Sequence, residues 1–375
     1  MNLPYKYIVM KRVSSLLTLL LLPFIISAQD LVWHNPQAET FFTVGGQAWP
    51  SELKGTYNRF PSRCETIVRK DVWNLSLQSA GLYLKFKTDS PTIKVRFGLT
   101  GDIQMTHMPA TGVSGMDLYS IDRDGKLRWY GTGHQREFRD TSSLTYSDLS
   151  YFSAADGYEF TLYLPLYNHV EWLEVGVEKT SFFEFLPVPS EKAIVCYGTS
   201  IAQGACATRP GMAWTNIIQR ELQKPVINLG FSGNGQMEPE VFTILSEINA
   251  EVFVIDCMAN MGGDIRTPLI YERTMNGIHI LREKTNAPII LVEHAGFSNS
   301  DTSEKAIENF TNCNTELEKA YCALLQEGVK DLYLIPHSEN AYGIDEMVEG
   351  WHPNDIGMQH QAAVTEKYIH IATHK

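Results

Sequence analysis

Along the first half of the chain, apolar and polar positions alternate. Leu82, Leu84 and Phe86 interleave with Tyr83, Lys85 and Lys87, and Ile93, Val95 and Phe97 interleave with Lys94 and Arg96. This two-residue period predicts strands with one buried and one wet face. Asp117–Ile121 and Lys126–Tyr130 flank the turn sequence DRDG, and Phe160–Leu166 and Val170–Val177 repeat the alternation around YNH. From about Phe41 to Val177 the pattern gives many short strands and no convincing helix. It predicts an antiparallel β-sandwich, jelly-roll-like in character.

The period changes after LPVPSEK, where Pro187 and Pro189 stiffen a linker. Beyond it, mainly apolar runs at Ala193–Tyr197, Val226–Leu229, Val252–Met258, Pro288–Val292 and Leu332–Ile335 alternate with helical stretches, such as the one whose face carries Trp214, Ile217, Ile218 and Leu222. Strands apolar on both faces suit a parallel sheet covered on both sides, hence an open α/β domain. A chain of 375 residues is long enough for two domains. The expected division is 29–187 for the sandwich and 188–375 for the α/β part. No internal repeat interrupts either half. In open α/β sheets the ligand crevice lies at the C-terminal ends of the strands.

The first residues change the picture of where the protein works. Lys6, Lys11 and Arg12 precede the apolar run Leu16–Ile26, and Ser27 and Ala28 offer small residues for cleavage. Residues 1–28 therefore read as a secretory signal, with a short anchor helix as the alternative, and the protein is expected to be exported. The run is about half the ~20 residues a spanning helix needs. The whole chain carries a formal charge of −12, and loss of those three cations leaves −15. Such a balance argues against nucleic acid or an anionic membrane surface as partner. The six cysteines are too few for a disulfide-stapled scaffold. Cys313 and Cys322 lie about 13 Å apart along a helix, too far to bond. No cysteine shows metal-ligand spacing.

Four signals fall after strands or before the last helix. They are Gly198-Thr199-Ser200-Ile201, NLGFSGNG with Gly233, CMANMGGD with Asn260, and EGWHPNDIGM with His352. Taken singly, each has a plain reading: a capping serine, a turn glycine, a loop amide, a surface or core histidine. Taken together, they supply a hydroxyl, a base and oxyanion donors, the three residue types that acyl transfer needs.

In this order, the blocks YGTSIAQG, NLGFSGNG, CMANM and EGWHPNDIG resemble those of the SGNH/GDSL hydrolase superfamily, from roughly Glu191 to the C-terminus. The resemblance implies a flavodoxin-like three-layer domain with a parallel sheet. It implies Ser200 as nucleophile, His352 as base, and an oxyanion hole of the Ser200 N–H, Gly233 and Asn260. Thr199 and Ile201 depart from the family's Asp and Leu at positions that carry no chemistry. Glu349 stands where the family usually has an aspartate, three residues before the histidine. It can orient the imidazole, as in other Ser-His-Glu hydrolases. The alternatives are a solvated Glu349 with a Ser-His dyad or a backbone carbonyl as orienter, and Asp345 and Asp355 are rival acids. Asp355 is expected to cap the final helix.

The tandem of sandwich and SGNH-like domain resembles carbohydrate esterases. It implies a carboxylic ester hydrolase, an acetylesterase, that removes O-acetyl or other small acyl groups from a glycan without a cofactor. The competing readings are a lipid esterase or thioesterase of the same superfamily and a non-catalytic glycan-binding protein. Arg209 after the nucleophile turn is expected either to meet the substrate or to anchor its loop, and further substrate contacts are expected from His294 in LVEH and from Met108 in the Thr106–Tyr119 loop, if the sandwich lends that loop to the cleft. Glu293 and His294 lack a third ligand at usual spacing, so no zinc is expected. Asp256, inside an apolar strand, is expected to make a structural hydrogen bond. Asn74 and Asn309 each begin a glycosylation triplet.

Overall fold

In the computed structural model the described residues are 30–374, apart from 122–124, 134–138, 140 and 150–157. The expected signal segment and most of the DRDG turn lie outside them.

The alternating half folds as expected into two antiparallel sheets. Its strands are β1 (Leu31–His34), β2 (Val44–Gly45), β3 (Tyr83–Thr88), β4 (Ile93–Leu99), β5 (Asp117–Ile121), β6 (Leu127–Gly131), β7 (Thr141–Tyr146), β8 (Tyr158–Tyr163), β9 (Val170–Glu178) and β10 (Phe183–Phe185). One sheet runs β1-β9-β4-β7 and the other β10-β3-β8-β5-β6, with β2 beside β3. Leu84, Phe86, Leu118, Phe160 and Leu162 from the second sheet meet Ile93, Val95, Phe97, Leu144 and Val175 from the first in a common core.

The apolar runs of the other half form β11 (Ala193–Gly198), β12 (Val226–Gly230), β13 (Ala250–Asp256), β14 (Ile289–Val292) and β15 (Leu332–Ile335). All pair in parallel, in the flavodoxin-like order β12-β11-β13-β14-β15. Alternate residues serve opposite cores. Val195, Tyr197, Phe253, Ile255 and Leu291 pack with Phe242, Ile278, Leu281, Leu317 and Leu324 on one face. Ile194, Cys196, Val254, Ile290 and Val292 pack with Ile217, Ile218, Met358, Ala362 and Ile369 on the other.

The helices used below are α1 (Lys70–Ser76), α2 (Ser200–Gln203), α3 (Trp214–Leu222), α4 (Pro239–Leu245), α5 (Ile270–Arg282), α6 (Glu304–Gln326) and α7 (Asp355–Thr373). Helix α1 corrects the expectation that the first half holds no helix. KDVWNLS spans two turns and buries little beyond Val72 and Ser76, too few positions to register a period.

The outer face of the β3–β8–β5 sheet also departs from expectation, because the second half covers it. Tyr83, Tyr119 and Tyr163 cluster there, buried. The Arg220 guanidinium of α3 lies 4.5 Å from the Tyr119 ring centroid, and the Tyr163 hydroxyl donates to Gln219. From Leu31 onward the chain forms one compact unit. Arg59 is another clamp. Wholly buried, it donates through Nη1 to the Gly230 carbonyl at 2.5 Å, through Nη2 to Leu75 at 2.6 Å and through Nε to Gln78 at 2.9 Å. It thereby fixes α1 and its C-terminal end against the end of β12. Burial pulls its pKa down to about 9.

Candidate active site

Strand β11 ends at Gly198, where a Cβ would stand 2.6 Å from the Asp256 carbonyl oxygen and 2.7 Å from the Ala202 Cβ. Only glycine lets the chain turn so close to β13. Thr199 then caps α2, its hydroxyl accepting from the Ile201 N–H at 3.2 Å. Ser200 becomes the first residue of that short helix, only 6% exposed, and its own N–H has no intrahelical acceptor.

His352 Nε2 lies 2.9 Å from Ser200 Oγ, and His352 Nδ1 is hydrogen-bonded to Glu349. An imidazole protonated on Nδ1 donates to the carboxylate and accepts from the serine hydroxyl, the polarity a general base requires. The segment carrying both residues is a tight loop closed by Val348 N–H to the His352 carbonyl and Asn354 N–H to the Glu346 carbonyl, each 2.9 Å. At its tip Gly350 adopts φ +87°.

Of the rival acids, Asp355 is engaged elsewhere, and neither is bonded to His352. Asp355 accepts from the Thr208 N–H at 2.9 Å and the Thr208 hydroxyl at 2.5 Å. The cap of α7 is Asn354, whose Oδ1 accepts from Ile356 and Gly357, so the capping role expected of Asp355 falls one residue earlier. Asp345 meets this loop through its backbone carbonyl, which accepts from Asn354 Nδ2 at 2.7 Å.

Gly233 lies on the turn after β12 with φ +69°, exposed. Gln203 holds this turn to α2, because its Oε1 accepts from the Ser232 N–H at 3.0 Å while its Nε2 donates to Gln78 and to the Leu166 carbonyl. Asn260 follows β13. Its Oδ1 accepts from the Gly235 N–H at 3.1 Å. A Cβ on Gly235 would come within 2.3 Å of the Gly198 carbonyl oxygen and 3.0 Å of the Thr199 nitrogen, so the glycine turn abuts the serine turn. Among the described residues, the Ser200 N–H, Gly233 N–H and Asn260 Nδ2 have no protein acceptor.

A cavity of about 460 Å³ opens at His352. Helix α1 and its C-terminal end wall it with Asp71, Asn74, Leu75 and Gln78, the Thr106–Tyr119 region adds His107 with the adjoining Met105, and Tyr167, Ala205, Ser232 and Asn234 complete it. The His107 ring stacks on that of His352, with centroids 5.6 Å apart. Tyr167 donates to the Ser200 carbonyl at 3.3 Å. A larger cavity, about 750 Å³, lies between the Gly263–Pro268 loop and α6 and contains none of the residues above.

Arg209, His294 and Met108 do not line the cavity at His352. Arg209 donates to the buried Asp117 carboxylate at 2.9 Å and lies 4.0 Å over the Trp129 ring, anchoring its loop to β5 and β6. His294 is buried among Phe297, Phe310 and Asn314, its Nδ1 accepting from the Gly296 N–H. Burial, aided by the neighbouring His337, pulls it down to about 4. Met108 is a core residue, 2% exposed. Asp256 is buried at the end of β13 and accepts from Gln361 Nε2 at 3.4 Å, with burial pushing its pKa up to about 7. Sequence reasoning missed Gln203, His107, Cys206 and the polar face of α1. Gln203 sits inside the quoted nucleophile block, but its partner Ser232 is 29 residues away and nothing in the block marks the contact.

The parallel sheet of this strand order, bearing these turns at its C-terminal edge behind an antiparallel half, defines an SGNH-type ester hydrolase. The chain belongs to the GDSL-like lipase/acylhydrolase family, whose model matches residues 191–370, while residues 31–183 match the N-terminus of SGNH-hydrolase-type esterases. A Bacteroides ovatus ATCC 8483 protein, described by likeness as a GDSL-like lipase, is 30% identical over 92% of this chain and 98% of its own, with TM-score 0.83. The salicylyl-acyltransferase SsfX3 of a tetracycline biosynthetic pathway is 19% identical over 89% of this chain and 95% of its own, at TM-score 0.70. A family two carbohydrate esterase from Cellvibrio japonicus is 11% identical over 92% and 99%, at TM-score 0.54. These last two share the fold. No curated protein matches the chain. Among the described residues, no helix is long and apolar enough to cross a membrane.

Proposed function

We propose that the protein is an exported two-domain serine esterase that removes O-acetyl or other small acyl groups from a carbohydrate. The observation that carries this reading is the cavity at His352, modest in size and walled by Asp71, Asn74, Gln78 and Asn234. Carboxylate and amide side chains suit the hydroxyls of a sugar better than an alkyl chain. Trp351, 60% exposed, adjoins the base and packs on Phe297 at 5.0 Å, which offers a flat apolar face to a sugar ring. Export rests on the charged and apolar pattern of residues 1–28.

In the proposed reaction His352 Nε2 takes the Ser200 proton as Oγ attacks the ester carbonyl. Glu349 stabilises the resulting imidazolium, and the Ser200 N–H, Gly233 N–H and Asn260 Nδ2 receive the oxyanion. As the C–O bond to the sugar breaks, the imidazolium protonates the departing sugar oxygen, which leaves as a hydroxyl. Water, deprotonated by His352, releases the acid from the acyl-enzyme and returns the proton to Ser200.

The test is acetate release from a panel of acetylated glycans, with Ser200→Ala as control, beside p-nitrophenyl acetate and a long-chain p-nitrophenyl ester. Acetate release dependent on Ser200 supports the reading, and preference for the long chain overturns it in favour of a lipid esterase. Glycan binding without reaction of Ser200 with a phosphonate probe would leave a binding protein.

A further inference from the structure

We propose that His107, Cys206, Glu349 and His352 form a binding site for one zinc-class divalent cation, whose occupancy switches the hydrolytic centre off. One ligand atom from each lies within 4.8 Å of every other: an imidazole nitrogen from each histidine, the Cys206 sulfur and a Glu349 oxygen. His107 belongs to the first half, Cys206 follows α2, and Glu349 and His352 share the loop before α7. No spacing motif unites them, and only the fold brings them together.

Geometry and donor chemistry agree. Tetrahedral zinc, with Zn–N and Zn–O near 2.0–2.2 Å and Zn–S near 2.3 Å, sets its ligand atoms about 3.3–3.7 Å apart. The four donors close to that spacing through movements on the order of 1 Å. Two imidazoles, a thiolate and a carboxylate suit zinc. Magnesium and calcium require more ligands, all oxygen. Cys206 is held in the left-handed region at φ +66°, a costly conformation for a side-chain-bearing residue. Its sulfur stands 3.3 Å from the His107 carbonyl oxygen and 3.8 Å from Glu349 Oε2. Glu349 is exposed, so an ion can arrive from solvent. On binding, the Cys206 S–H proton passes to water as the Zn–S bond forms.

The consequence for the centre follows from where His352 is engaged. A cation on Nε2 displaces the Ser200 hydroxyl, and one on Nδ1 displaces the Glu349 hydrogen bond. In either case the imidazole is no longer poised to accept the serine proton. The switching half of this inference rests on the proposed serine esterase; the binding half does not.

The experiment titrates Zn²⁺ into full-length protein stripped with EDTA, reading stoichiometry by calorimetry and by competition with a chromogenic chelator. In parallel, p-nitrophenyl acetate hydrolysis is followed for each variant against its own metal-free rate. The expected result is one equivalent bound, weakened at least about tenfold by Cys206→Ser and by His107→Ala. Hydrolysis falls in step with occupancy, recovers with EDTA and is indifferent to Mg²⁺ and Ca²⁺. Co²⁺ in place of Zn²⁺ gives a thiolate charge-transfer band that Cys206→Ser lacks. Absence of stoichiometric binding, or binding untouched by both substitutions in folded protein, overturns the site. Stoichiometric binding with undiminished hydrolysis overturns the switch alone. A metal-free protein that cleaves no ester overturns the esterase reading and with it the switch, while the zinc titration still decides the site.

Discussion

The Gln203 side-chain oxygen accepts the Ser232 N–H at 3.0 Å, so one buried amide sets the distance between the Ser200 turn and the glycine turn. Its own orientation is fixed from the first half, through Gln78 and the Leu166 carbonyl. Misplacing a reacting group by about 1 Å can cost on the order of 100-fold in rate. Gln203→Ala is therefore expected to lower kcat by about 10–100-fold with a smaller change in KM. Gln203→Glu, which keeps the acceptor for Ser232, should retain more activity than alanine. Steady-state kinetics of folded variants checks this, and equal loss in both would remove the positioning role.

The Ser200–His352–Glu349 line makes a graded prediction. Loss of nucleophile or base in a comparable triad costs on the order of 10⁶ in turnover, and loss of the acid on the order of 10⁴. Ser200→Ala and His352→Ala should abolish ester hydrolysis. Asn260→Ala, removing one of the proposed oxyanion donors, should cost about 10²–10³. Glu349→Gln should fall between wild type and His352→Ala, because the imidazolium loses its counter-charge. A Glu349→Gln enzyme with wild-type kcat would leave a Ser-His dyad.

Arg59 meets four carbonyl oxygens, those of Leu75, Gln78, Asn228 and Gly230, and stands 4.9 Å over the Phe231 ring. Arg59→Ala strips this donor from all four; the Leu75 carbonyl keeps the Gln78 N–H, and each of the others that is left unpaired and out of reach of water costs about 1–3 kcal/mol. A loss of at least about 3 kcal/mol is expected in urea unfolding. Because Gly230 leads into the glycine turn, residual folded protein should also turn over more slowly. A midpoint close to wild type would show that water takes over the carbonyls.

What the sequence displayed and what it hid divide along physical lines. The runs at 193–197, 226–229, 252–258, 288–292 and 332–335 were legible because a doubly covered parallel strand is apolar at nearly every position, Asn228 and Asp256 being the exceptions. The Ser200, Gly233, Asn260 and His352 turns were legible because strand ends are where such a sheet collects them. Helix α1 was not, since two turns with few buried positions carry no period. For Arg209 the sequence left substrate contact and loop anchoring both open, because its partner Asp117, 92 residues away, is set by tertiary packing alone. His294 stands at a strand end, the place of a crevice residue, yet Phe297 and Phe310 enclose it. His107 and Cys206 carried no local signal, because their neighbours Glu349 and His352 arrive from the far end of the chain.

Two buried groups should tilt stability in opposite directions with pH. His294 is held near 4 by burial first and His337 second, against an ordinary value of 6.5. Between these values the unfolded chain binds the proton and the folded one does not. The stability His294 contributes is therefore complete above about pH 6.5 and lost as pH falls toward 4. At about 1.4 kcal/mol per pH unit the window is worth about 3 kcal/mol. Asp256 does the reverse. Burial beside Gln361, Tyr342 and the thiols of Cys196 and Cys257 lifts it from 3.8 to about 7. Its contribution is complete below about pH 3.8 and lost as pH rises toward 7. Across the shared interval the two slopes oppose. Asp256→Asn removes the falling part, so its unfolding free energy should climb by about 3 kcal/mol relative to wild type from pH 4 to 6.5. His294→Asn should show the opposite difference over the same range. Urea unfolding of the three proteins at several pH values tests both signs at once. Parallel curves would mean that neither group keeps its buried protonation state through folding.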